Sequence, residues 1–294
     1  MSATDPRKVH RIDDWAAFLK WYQRLTEGEK YKNKRWCFRG LSCTEYELET
    51  SLERAAEEFQ VPYSERREIE KKLIREFKRR LHHYTSTIPI QEDTLEWLAL
   101  MQHFGAPTRL LDWTYSFFVA AYFAMEKAKS GVDCAIWAID TSEIIYEDKL
   151  LEKLEYKKSE LIAEFNSSYQ HQIIDDRRSF LQNKLVDHLL EAPKKLVHAV
   201  NPYRLNERLT IQQGLFLFPG DLGCSFMDNY NETISSKPDL IKFEINASLE
   251  IRKSFLKNLH RMNISRATLF PGLVGYANSM RSKFAFPELL ITGD

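Results

Sequence analysis

The chain has 294 residues, 44% of them apolar and 29% charged, with 42 Lys and Arg against 42 Asp and Glu. That composition excludes a disordered chain, and the zero net charge excludes a global field steering the molecule to nucleic acid or an anionic membrane; only local basic patches remain. No run approaches the ~18 apolar residues of a membrane span, and the stretch holding Asp5, Arg7, Lys8 and Asp13 lacks the apolar core of a signal peptide. A cytoplasmic location without membrane association is the expectation. Cys37, Cys43, Cys134 and Cys224 fit neither a disulfide framework nor zinc knuckles, and nothing at ligand spacing completes a site around His82, His83 and His103, so no metal is expected.

Residues 12–26 place Trp15, Phe18, Leu19, Tyr22 and Leu25 at helical spacing behind Asp13 and Asp14 as caps. A lysine-rich loop leads to Trp36–Leu41, a short buried strand interrupted at Gly40, and 42–50 has no period. From Ser64 a long helix carries Ile69, Leu73, Phe77 and Leu81 inward and its Arg and Lys outward. A second helix, 94–104, buries Trp97, Leu98 and Met101 and stops at Gly105 and Pro107. Ser116 caps a helix to about Ala128 that is apolar nearly all round, and Cys134–Ile139 reads as a central strand covered on both sides.

Residues 143–192 read as a helical insertion with Ile173, Phe180, Leu181, Leu185, Leu189 and Leu190 buried. Three strands follow at 196–200, 209–218 and 240–245, then a helix at 249–259. With no linker and no repeat, the pattern predicts one α+β domain whose split mixed or antiparallel sheet is surrounded by helices.

Three segments carry polar groups where they need partners. Arg39 ends a strand beside a glycine that permits close approach, so its planar fork of donors serves either a phosphate or backbone carbonyls of the core. In Arg109-Leu110-Leu111-Asp112-Trp113-Thr114, the polar residues sit among apolar neighbours; Asp112 pairs with Arg109 or Arg39, or accepts ribose hydroxyls. In Arg208-Leu209-Thr210-Ile211-Gln212-Gln213-Gly214, a strand would point Gln212 and Gln213 to opposite faces.

These segments, with Trp97, the block Met101-Gln102-His103-Phe104-Gly105-Ala106-Pro107-Thr108, residues 120–124 and Leu269-Phe270-Pro271-Gly272-Leu273, resemble the FRG domain family, named for its Phe/Tyr-Arg-Gly motif. The resemblance spans about 35–280, between an N-terminal helix and loop (1–34) and a C-terminal tail (281–294). A more distant likeness is to the arginine class of ADP-ribosyltransferases, in which an arginine holds NAD, a Ser-Thr-Ser strand orients the nicotinamide side and a late glutamate drives transfer.

That likeness implies an ADP-ribosyltransferase-like fold with NAD as substrate, and an effector of toxin or phage-defence type acting on a protein or nucleic-acid acceptor. It assigns Arg39, Gly40, Arg109, Thr114 and Gln212 to binding NAD, and Asp112, Glu207 and Gln213 to chemistry. The Ser-Thr-Ser is absent, and Gln212-Gln213-Gly214 has no carboxylate at the glutamate's place. Two other readings stand beside it: a nucleotide-binding module without turnover, and a nucleic-acid effector using the basic faces at 66–80 and 253–266.

Overall fold

The computed structural model describes residues 8–86, 88, 89, 91, 93–142, 144, 150, 151, 154–170, 176–203, 207–233 and 239–287. In chain order the strands are β1 (Lys8–Ile12), β2 (Trp36–Leu41), β3 (Leu111–Thr114), β4 (Cys134–Asp140), β5 (Val197–Val200), β6 (Gly214–Pro219) and β7 (Leu240–Ile245). The helices are α1 (Trp15–Glu27), α2 (Ser51–Glu58), α3 (Tyr63–Arg80), α4 (Thr94–His103), α5 (Phe117–Glu126), α6 (Lys158–Gln170), α7 (Arg177–Glu191), α8 (Glu207–Ile211), α9 (Phe226–Asn231), α10 (Leu249–Arg261), α11 (Arg266–Leu269) and α12 (Leu273–Lys283). The expected Ile173 of the insertion stripe, and the ends of the chain, lie outside the described residues.

The strands form one α+β mixed sheet in the order β1-β7-β4-β2-β3-β6-β5. Only β1 and β7 run parallel; the other pairs are antiparallel. The sheet is therefore continuous where a split one was expected. Its continuity is nonetheless thin, because β2 meets β3 through the single pair Phe38↔Thr114, whereas β2 pairs with β4 along all six residues from Trp36 to Leu41. Past Phe38 the two strands part, and a seam opens in the middle of the sheet.

Alternation explains which residues go where. Phe38, Ile136, Ala138, Ile241, Phe243 and Ile245 turn to one face, under α1, α5 and α10. Their neighbours Cys37, Trp137 and Ile139 turn to the other, joining Leu111, Trp113, Leu215 and Leu217 beneath Leu48 and α9. On the far half, Phe216 and Phe218 pack against α4 and α7 with Leu95, Leu98, Leu185 and Leu189. Phe117 of α5 is the hub of the first core, its ring 4.4 Å from Phe18 and 5.0 Å from Phe38. Each such fully buried ring contributes about 2–3 kcal/mol.

Helix α5 starts where Ser116 accepts from the Val119 amide, the cap its sequence position predicted. Its small residues Ala120 and Ala124 face β2 at Gly40. A Cβ on Gly40 would stand 2.0 Å from the Ala120 carbonyl oxygen and 2.6 Å from the Ala124 nitrogen. The glycine is thus required by the helix backbone rather than by a ligand's approach. Gly40→Ala is expected to lower the urea midpoint by the equivalent of about 1–3 kcal/mol or more, because the clash is with backbone that cannot move alone.

Elsewhere the periods place most elements, but Leu19 and Tyr22 of the expected α1 stripe are exposed, β2 runs on through Gly40 to Leu41 so that Arg39 lies inside it, and two further local readings fail. The segment expected as a strand over 209–218 begins as α8, and the strand starts only at Gly214. Helix α3 buries Arg66 and Glu70, at 4% and 0% exposure, more completely than its aliphatic stripe. Its charge run is thus only partly a solvated face.

Candidate functional site

The seam between β2 and β3 widens into a cleft of about 960 Å³, walled by β2, the 42–49 loop, β3, the end of α5, α8 and α11. Arg39 reaches across it. Its Nη1 donates to the main-chain carbonyl of Asp112 at 2.6 Å, and its Nε is buried with no acceptor. Burial pulls the guanidinium down to about 10, opposed by the Asp112 charge and reinforced by Arg54, so it stays cationic at neutral pH without a carboxylate bonded to it. Arg39 thereby makes the carbonyl contact of a core fixture and still lines an open cleft with donors to spare.

Asp112 uses its carboxylate differently from either expected ion pair. One oxygen accepts from Gln102 Nε2 at 2.8 Å, and Gln102 also bonds the Leu110 carbonyl, which anchors the Asp112 side chain to α4. The carboxylate is exposed and lines the cleft, and its charge acts on both Arg39 and Arg208.

Arg109 is removed from the site altogether. It is 1% exposed and clasped by the wholly buried Glu70, with Nε 2.9 Å from both carboxylate oxygens, Nη2 bonded to one of them, and the guanidinium 4.9 Å from the centre of the Phe218 ring. This pair lies under the far half of the sheet and ties α3 to the approach to β3. Its expected role in binding NAD gives way to a structural one.

Thr114 and Gln212 do line the cleft, as struts. The Thr114 hydroxyl donates to the Gln212 carbonyl at 2.6 Å and accepts from the Ser116 amide at 3.0 Å. Gln212 Nε2 donates to the Leu269 carbonyl at 2.9 Å, which pins α11 to the turn after α8. Gln212 and Gln213 therefore do not alternate on a strand: they occupy a turn, with Gln213 at φ 49°, in the left-handed region. Gln213 is exposed and faces a separate hollow of about 370 Å³ beside Tyr115 and Asn201. Glu207 is exposed at the start of α8 and is not part of the cleft wall.

The structure thus gathers Arg39, Gly40, Asp112, Thr114 and Gln212 and leaves out Arg109, Glu207 and Gln213. It adds residues that the sequence reading did not single out. Phe270 carries two guanidinium groups over its ring, Arg208 at 4.6 Å and Arg266 at 4.3 Å from the ring centre. Arg266 donates from Nη1 to Glu126 at 2.6 Å, and the same carboxylate oxygen accepts from the Tyr122 hydroxyl at 3.1 Å. Burial and then the Glu126 charge push the Tyr122 hydroxyl well above its ordinary range, which keeps it a donor. Signals for these residues existed: Phe270 lay in the Leu-Phe-Pro-Gly-Leu block, Arg208 opened its segment, and Glu126 is the first charge after the apolar run of α5.

Residues 34–133 match the sequence model of the FRG domain. No curated protein and no solved structure matches the chain. The matched span runs from just before β2 to the start of β4 and holds Arg39, Gly40, Asp112, Thr114 and Glu126, whereas Arg208, Gln212, Arg266 and Phe270 come from beyond it. Among the described residues no helix is long and apolar enough to cross a membrane.

The geometry separates stability from the cleft. Arg109→Ala or Glu70→Ala leaves a buried charge unpaired and is expected to cost about 3–5 kcal/mol in chemical denaturation. Glu207→Gln, an exposed change outside the cleft, is expected to leave the denaturation midpoint within about 0.5 kcal/mol of wild type.

Proposed function

We propose that the seam cleft binds a nucleotide of the NAD class and that the protein consumes it as a divergent ADP-ribosyltransferase or NAD glycohydrolase. One observation carries the reading: Arg39 presents a desolvated, cationic guanidinium to the cleft, bonded only to a neutral carbonyl and with a buried Nε lacking an acceptor. A phosphate oxygen supplies the missing counter-charge at the part of the guanidinium that faces the cleft, and a guanidinium fork matches it bidentately. A cleft of about 960 Å³ lies at the upper end of the usual ~300–1,000 Å³ for small-molecule sites.

In this reading Asp112 is the acting carboxylate. Arg39 holds a phosphate of the pyrophosphate; the bond from ribose C1 to the nicotinamide nitrogen breaks with its electron pair leaving on nicotinamide. The Asp112 charge stabilises the oxocarbenium-like carbon, and a water or acceptor hydroxyl adds there through its oxygen and releases its proton to solvent water. The anchoring bond from Gln102 fixes the carboxylate while leaving its second oxygen free for this work.

The test is calorimetric titration with NAD alongside an assay of nicotinamide release. Arg39→Ala is expected to weaken NAD binding at least about tenfold, and Arg39→Lys nearly as much, because a point charge lacks the fork. Asp112→Asn is expected to bind NAD and lose turnover by about 100-fold or more, in line with the loss of a charge aimed at the transition state. NAD binding with no release in the wild type would reduce the function to a nucleotide-binding module; no binding at all would overturn the proposal.

A further inference from the structure

Arg208, Phe270 and Arg266 form a second cationic centre in the cleft, and no step above uses it. The Arg208 carbonyl accepts from the Gln212 amide, whereas its guanidinium makes no hydrogen bond among the described residues and rests on the Phe270 ring. Burial lowers its guanidinium, with Asp112 opposing and Arg266 adding to the shift. Arg266 is neutralised on one side by Glu126, yet its Nε is buried without an acceptor. Both arginines are less than half exposed and both line the cleft.

A cation is normally left desolvated and unbonded only where a partner arrives later, since water or a carboxylate would otherwise satisfy it. Two guanidinium groups laid on one aromatic ring also repel each other. The ring's negative face offsets part of that cost, and with Arg266 bonded to Glu126 it is the Arg208 N–H groups that are left for a third group. Arg39 belongs to β2, Arg208 to α8 and Arg266 to α11, which Phe270 ends, so the two centres sit on different elements with Asp112 acting on both Arg39 and Arg208.

We infer that Arg208 and Arg266, held by Phe270, form a second anion subsite, so that the ligand class is a nucleotide carrying two phosphates rather than a nucleoside or a monophosphate. This rests on the nucleotide reading of the cleft. Arg39 takes one phosphate and Arg208 the other, with Arg266 adding positive charge beside Arg208. Phe270 is a positioning residue: it touches no ligand and holds the guanidinium groups that do.

The probes are ADP and AMP, titrated by calorimetry. Wild type is expected to bind ADP at least about tenfold tighter than AMP, the difference one charge-assisted contact supplies. Arg208→Ala is expected to erase that preference, bringing ADP to the affinity of AMP and leaving AMP unchanged. Phe270→Leu, which keeps apolar volume without a π face, is expected to reproduce this at an unaltered melting temperature, and Phe270→Trp to restore the preference. If Arg208→Ala weakens both ligands alike, or neither, the second subsite is refuted. If Arg39→Ala abolishes ADP binding while Arg208→Ala leaves it untouched, the subsite falls and the nucleotide reading stands. If wild type binds neither ADP nor AMP, both fall.

Discussion

Gly40 and the backbone of α5 lie closer than any side chain allows, and the central layout follows from that contact. A helix apolar nearly all round needs complete burial, and its Ala120 and Ala124 let it settle on β2 until only a glycine fits beneath. Strand β2 is committed to β4 along its whole length on one side, and on the other it meets β3 at one residue pair. The cleft begins where that pairing stops. Three consecutive residues consequently serve three ends: Phe38 enters the aromatic core beside Phe117, Arg39 lines the cleft, and Gly40 admits the helix.

The cleft is lined by both signs of charge, with Arg39, Arg54, Lys127, Arg208 and Arg266 against Glu45, Glu47, Glu49, Asp112 and Glu126. Asp112 acts on Arg39 and Arg208 through charge while its bonded oxygen belongs to Gln102, and Glu126 is taken by Arg266 and Tyr122. The Arg54 guanidinium bonds the Glu49 carbonyl. By contrast, Arg109 is bonded by Glu70 and by the Pro219 carbonyl, so one sequence segment supplies both a paired buried arginine and an exposed carboxylate at the cleft. The difference is topological: alternation along β3 sends Asp112 and Thr114 to the side opposite Leu111 and Trp113, and Arg109 precedes the strand altogether.

The walls of the cleft are tied by neutral hydrogen bonds. Thr114 to the Gln212 carbonyl and Gln212 to the Leu269 carbonyl join β3, the turn after α8 and α11 in series. Those bonds give the polar residues of two family-like segments a structural task. They also fix the elements that bear Arg208, Arg266 and Phe270, whose positions relative to Arg39 depend on that chain of contacts.

Legible from the sequence are the elements whose burial has one period: helix α1 with Phe18 and Leu25 inward, the all-round apolar α5, the fully buried β4 and the alternating β7, together with the strand that holds Arg39. These are legible because local spacing encodes which face meets the core. Tertiary structure alone decided that Arg109 pairs with Glu70, 39 residues earlier, that Gln212 sits in a turn, and that Glu126, Arg208, Arg266 and Phe270 meet at one cleft. A charged residue shows in sequence that it needs a partner but not which one. That choice falls to long-range packing, set here by where α5 closes on Gly40 and how far β3 then stands from β2.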